Sequence, residues 1–230
     1  MILKKPTNTI SGLLPVNKSI GSTSFFLVKI LRKITNVSKI GHAGTLDPFA
    51  RGVMLLLIGK NYTTKATDLV ALDKEYLATI TLGKATDTYD TEGSIINSSD
   101  YIPKIDEIEN AVGHFQNEIS QIPPMFSAKK VNGKKLYELA RKGINVERKP
   151  QTVTVKTTLI SYDYPTLKIQ VKCSKGTYIR SIANDLGEML NTYAHLSSLT
   201  RLRIGPYSLE HCIDQKDLSD LPLEKFICTL

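Results

Sequence analysis

The chain has 230 residues, 41% hydrophobic and 23% charged, which is enough apolar material for a sizeable core and argues against global disorder. Its formal net charge is +8, from 30 Lys and Arg against 22 Asp and Glu, and a basic balance suits a polyanionic partner. The three cysteines form neither a disulfide framework nor a metal-ligand spacing, and Lys4 and Lys5 lead into no apolar stretch of signal-peptide length. With no apolar run longer than Val53 to Ile58, far short of a membrane span, a soluble cytoplasmic protein is expected, without metal or cofactor.

Leu13 to Val16 has the character of a short strand, ended by a turn through Asn17, Lys18 and Gly21. Ser24 to Ile34 carries apolar residues at helical spacing, with Ser22 or Thr23 placed to cap it. A glycine-bearing loop follows from Gly41 to Pro48, then a buried strand from Val53 to Ile58 and an alternating strand from Glu75 to Leu82. Pro103 to Phe115 predicts a helix with Ile105, Ile108 and Val112 on one face. After Pro123-Pro124 comes a basic segment, with a short helix over Lys135 to Arg141. Thr152 to Ile160 and Leu167 to Cys173 predict strands, and Tyr178 to Leu190 a helix. Strands and helices without a clean βαβ repeat predict an α+β fold with a mainly antiparallel sheet.

The positive charge is concentrated. Residues 121–150 hold eight bases, among them Lys129, Lys130, Lys134 and Lys135, against Glu138 and Glu147, whereas residues 206–230 hold five acids against two lysines. Such clustering is what a surface for a phosphate backbone requires.

The most informative stretch is Gly41-His42-Ala43-Gly44-Thr45-Leu46-Asp47-Pro48. Its glycines permit tight backbone, and Pro48 restricts Asp47 to extended conformations. It can present a carboxylate and an imidazole on a rigid frame. Spacing alone leaves a plainer alternative, in which Asp47 is an N-cap with Pro48 at the first helical position and His42 is a polar loop residue.

GHAGTLDPFARG, from Gly41 to Gly52, resembles the signature loop of the TruB family of pseudouridine synthases at every named position. Lys74-Glu75-Tyr76, GKATDTYDTEG (Gly83 to Gly93), the basic segment from Ile122 to Gly143, CSKGTYIR (Cys173 to Arg180) and LTRLRIG (Leu199 to Gly205) resemble further family segments in order. Together they cover Gly12 to Tyr207. There are two departures: Asn17-Lys18-Ser19 stands where the family has Asp-Lys-Pro, and Thr200-Arg201 where it has an arginine pair.

The resemblance implies a tRNA pseudouridine synthase that isomerises uridine 55 in the T loop, with Asp47 as nucleophile on a flipped base. It implies that Tyr76 stacks on the base and takes the C5 proton, that Arg180 orients the aspartate, and that Tyr178 and Leu199 line the pocket. His42 would occupy the place of the flipped nucleotide, and Lys18 would serve the same binding site. The expected organisation is a single catalytic domain over residues 1–230, with residues 121–150 as an RNA-gripping insertion and without a full C-terminal PUA-type domain. The expected partner is the tRNA T stem-loop, with no membrane, no obligatory protein and a monomeric state. Two rivals share these residues: a guide-RNA-dependent synthase of the related archaeal and eukaryotic branch, and a catalytically silent tRNA-folding module.

Overall fold

The computed structural model describes residues 10–229. The chain forms two compact units, one from the residues up to Leu72 together with those from Arg201 onward, the other from Asp73 to Thr200.

The first unit opens with strand β1 (Gly12–Lys18) and helix α1 (Ser24–Thr35). Thr23 caps α1 by accepting the N–H of Phe26 at 3.1 Å, and Asn36 ends it in the left-handed conformation with its N–H on Arg32 O. Strands β2 (Ile40–Ala43) and β3 (Arg51–Ile58) follow, then the short helices α2 (Lys60–Thr63) and α3 (Ala66–Ala71). β3 runs antiparallel to β1, with Gly12 opposite Ile58 and Lys18 opposite Gly52, and antiparallel to β2, with Ala43 opposite Leu55. Val53, Leu55 and Leu57 enter a core with Leu13, Leu69 and Ile204, while Met54, Leu56 and Ile58 on the other face are equally buried. Burial on both faces is why β3 is a continuous apolar run rather than an alternating one.

The second unit begins with β4 (Lys74–Leu82), whose residues alternate buried and half-buried. A hairpin of β5 (Lys84–Thr86) and β6 (Ile95–Ser98), helix α4 (Ile105–Gly113) and strand β7 (Gln116–Gln121) come next. The basic segment holds a second hairpin, β8 (Lys130–Val131) with β9 (Lys134–Lys135), and the helix α5 (Leu136–Ala140). β10 (Gln151–Asp163) and β11 (Thr166–Cys173) complete an antiparallel sheet ordered β4-β11-β10-β7. Helix α4 packs on β10, and helix α6 (Ile179–Met189) packs on β4.

Strand β12 (Ala194–Ile204) returns the chain to the first unit, where β13 (Tyr207–Ser208) pairs with its end. β14 (Ile213–Asp214) lies parallel to β1, and Cys228 exchanges both backbone hydrogen bonds with Leu13 at 2.8 and 3.1 Å. The fold is α+β and mainly antiparallel, as expected from sequence. Among the described residues no helix is long and apolar enough to cross a membrane.

Candidate active site

Strand β2 takes in Gly41, His42 and Ala43, so the loop proper runs from Gly44 to Ala50. Gly44 sits at φ +78°, a conformation that favours glycine. No helix starts after Pro48. Instead the N–H of Ala50 donates to Asp47 O at 3.1 Å and closes a turn into β3, which excludes the N-cap alternative for Asp47.

Three side chains within the first unit fix this loop. Ser24, at the start of α1, accepts the N–H of Leu46 at 3.0 Å and donates to Leu46 O at 3.2 Å. Lys18 is fully buried, its ammonium donating to the carbonyls of Ser19 (3.0 Å), Ser22 (2.7 Å) and Pro48 (3.4 Å). Arg201, 1% exposed, donates from Nε to Val53 O (2.7 Å), from Nη1 to Thr45 O (3.3 Å) and from Nη2 to Gly44 O (3.1 Å). Both buried cations are compensated by oriented carbonyl dipoles. Gly52 lets Arg201 approach, since a Cβ there would lie 2.2 Å from Arg201 O.

Asp47 is thus a half-buried carboxylate on a loop pinned immediately before it, at Leu46, and immediately after it, at Pro48. His42 projects from β2 with a buried Nδ1 that makes no hydrogen bond. Burial, and then the nearby Arg201 guanidinium, push its pKa below 6.5, so the ring is neutral near pH 7.

In the second unit, Arg180 is 6% exposed on the first turn of α6. Its Nη1 donates to Thr88 O at 3.1 Å and lies 3.5 Å from Asp90 Oδ2, while Nη2 donates to Phe126 O at 2.9 Å. Asp90 is itself fixed, its Oδ1 accepting from Thr88 Oγ1 (2.6 Å) and from the N–H of Glu92 (3.0 Å). Arg180 therefore joins the Gly83-to-Gly93 turn to the base of the basic segment. Tyr178, at the N-cap of α6, is held through its backbone: Gln121, fully buried, accepts its N–H at 2.8 Å and donates to its carbonyl at 3.1 Å. Ser181 adds a bond to Ile122 O at 3.0 Å. Tyr76 lies on the buried face of β4, opposite Val171, and Leu199 is buried on β12. Among the described residues no three His, Cys, Asp or Glu side chains are grouped closely enough to hold a metal ion.

The family profile for the N-terminal domain of TruB family pseudouridylate synthases matches residues 32–179, and that for the tRNA pseudouridylate synthase B C-terminal domain matches residues 180–225. This chain belongs to the TruB family. A TruB relative from Protochlamydia amoebophila named tRNA pseudouridine synthase B is 53% identical over 94% of this chain and 82% of its own length. Another of the same name, from Chlamydia trachomatis serovar L2, is 53% identical over 90% of this chain and 86% of its own. Among solved structures, the crystal structure of a Cbf5-Nop10-Gar1 complex is similar with a TM-score of 0.72 and 29% identity, covering 94% of this chain. This chain spans 56% of that one.

In this TruB chain, Ser24, Arg201, Gln121 and Asp90 are the supporting residues that sequence reasoning missed. Ser24, Arg201 and Gln121 act on backbone groups distant in the sequence, a relation that local spacing does not carry, whereas Asp90 acts on its own turn and on the Arg180 side chain. Arg201 left a signal as the retained half of the departed arginine pair, and Asp90 as a member of the GKATDTYDTEG turn.

Proposed function

We infer that this TruB-family chain is a cytoplasmic tRNA pseudouridine synthase acting at uridine 55, with Asp47 as its nucleophile. The observation that carries the reading is the Asp47 loop, a single carboxylate on a frame pinned by Ser24, Lys18 and Arg201. Pre-positioning of this kind lowers the cost of bringing a nucleophile to a bound nucleoside. The isomerisation breaks the N1–C1′ bond, turns the uracil and joins C5 to C1′; the C5 proton leaves and the freed N1 takes up a proton, so composition is unchanged. No atom is gained and no redox change occurs.

The target base must leave its stack, at a cost of a few kcal/mol that pocket contacts offset. Tyr76 is the stacking residue and proton acceptor, with Tyr178 and Leu199 as apolar walls. Arg180 orients the nucleophile. Lys18 serves the substrate site by fixing Pro48, and neutral His42 fills the place that the base leaves. Residues 121–150, part of one catalytic domain, grip the T stem-loop through phosphates, as a monomer without an obligatory protein partner.

The test is pseudouridine formation on unmodified tRNA transcript, mapped by position, for wild type and Asp47→Asn. Product at position 55 from wild type alone is expected. A first step by attack at C1′, by addition at C6 or by removal of a C2′ proton requires the carboxylate in each case. Product from the Asn variant at the wild-type rate would overturn the assignment.

A further inference from the structure

Within the first unit, α1 carries a surface that the reaction does not use. Asp47 is the single acid among the first 67 residues, which contain ten Lys and Arg. Phe25, Lys29, Arg32 and Lys33 are all exposed on α1, and no acid occurs in the helix. Phe25 and Phe26 are 51% and 46% exposed, large values for phenylalanine. Phe25, Lys29 and Arg32 stand at i, i+4 and i+7, one helical stripe. Lys29 Nζ and the Arg32 guanidinium lie 5.5 and 5.8 Å from the centre of the Phe25 ring. Arg32 is further steadied by donating to Ile40 O at 3.3 Å. Lys39 O, one residue before β2, accepts the N–H of Gly59 at 2.8 Å, and Lys39 and Lys60 are both exposed.

Resting on the synthase reading above, we propose that this face of α1 is a second RNA-binding surface, distinct from the basic segment, which holds the sugar-phosphate backbone of the substrate beside the Asp47 loop. Two observations select RNA over a protein occupant. Every charge carried by α1 itself is positive, so counterion release favours a polyanion along this stripe. It is also continuous with the catalytic loop, because Ser24, the residue before Phe25, is bonded in both directions to Leu46. From Phe25 to Lys33 the helix rises about 12 Å, over which a nucleic-acid strand advances about three phosphates at roughly 3.4 Å each. The two phenyl rings lie at the loop end, where an unstacked base or ribose can rest on them.

The test replaces Lys29, Arg32 and Lys33 together by Gln, a helix-compatible change, with thermal unfolding to confirm the fold. Affinity for tRNA transcript is measured from 50 to 300 mM salt, alongside turnover. The expected result is about tenfold weaker binding at 0.1 M salt and a log–log slope shallower by about 2, the loss of two to three phosphate contacts, with the effect in KM rather than kcat. Unchanged affinity and slope would overturn the proposal. Loss of concentration-dependent self-association in Phe25→Ser/Phe26→Ser, with RNA binding intact in both variants, would overturn it in favour of a protein-docking face. Binding is measured without turnover, so failure of wild type to make pseudouridine strikes the synthase reading and leaves this test standing.

Discussion

Arg201 and Asp47 illustrate how little of a site's construction is local. Arg201 reaches back 157 positions to Gly44, and its three carbonyl partners define where the signature loop turns. Arg201→Lys keeps the charge but not the planar fork, and one ammonium does not span the acceptors that Nε, Nη1 and Nη2 serve. The expected loss is on the order of 3 kcal/mol, seen as a fall in Tm of about 6 °C or more. Turnover on tRNA should drop at least tenfold, because a loop displaced by a fraction of an ångström misplaces the carboxylate. A variant with wild-type Tm and wild-type turnover would refute this role. The carboxylate and imidazole candidates could be named from sequence because Gly41 to Pro48 is compact, and the arginine candidate because it closes the separate segment CSKGTYIR. Arg201 stood out only as half of a departed pair, because a guanidinium has no local mark of burial in sequence.

At the level of elements, α1, β3, β4, β10, β11 and α6 were visible because their burial has a clean period or a clean apolar run. Strand β7 escaped because its residues are polar and its inward-facing end is the amide of Gln121. Strand β12 escaped because its burial does not alternate, and its interior holds Thr200 and Arg201. The start of α6 depends on this hidden strand, since Gln121 supplies the donor and the acceptor that Tyr178 needs at a helix N-terminus. Gln121→Leu preserves volume and removes the acceptor of the Tyr178 N–H, leaving the Tyr178 carbonyl its bond from the Ile182 N–H at 3.3 Å, at about 2 kcal/mol. Tyr178 and Arg180 share that helix start, so kcat should fall roughly tenfold or more while the affinity for tRNA changes less. Equal losses in kcat and affinity would count against a positioning role for Gln121.

The whole molecule combines two half-buried groups whose titrations oppose each other. His42 has a folded-state pKa below 6.5, so the unfolded chain takes up the proton first and stability falls as pH drops through and below that value. Burial raises Asp185 on α6 from 3.8 to about 6, so the folded chain takes up this proton first. Its stabilising effect grows as pH falls from about 6 toward 3.8. In Tm measured from pH 4 to 8, His42→Gln should flatten the loss below pH 6.5. Asp185→Asn should raise Tm above pH 6, and a lower Tm there would show the carboxylate to be needed in its ionised form. The pairing of Cys228 with Leu13 and of β14 with β1 bears on the order of synthesis. The unit that carries Asp47 is made first and finished last. At roughly 5–20 residues per second, Arg201 leaves the ribosome on the order of ten seconds after Gly44. Until then the loop carbonyls of Gly44 and Thr45 lack the two N–H donors that Arg201 supplies, and the nascent chain passes through synthesis with its Asp47 loop unset.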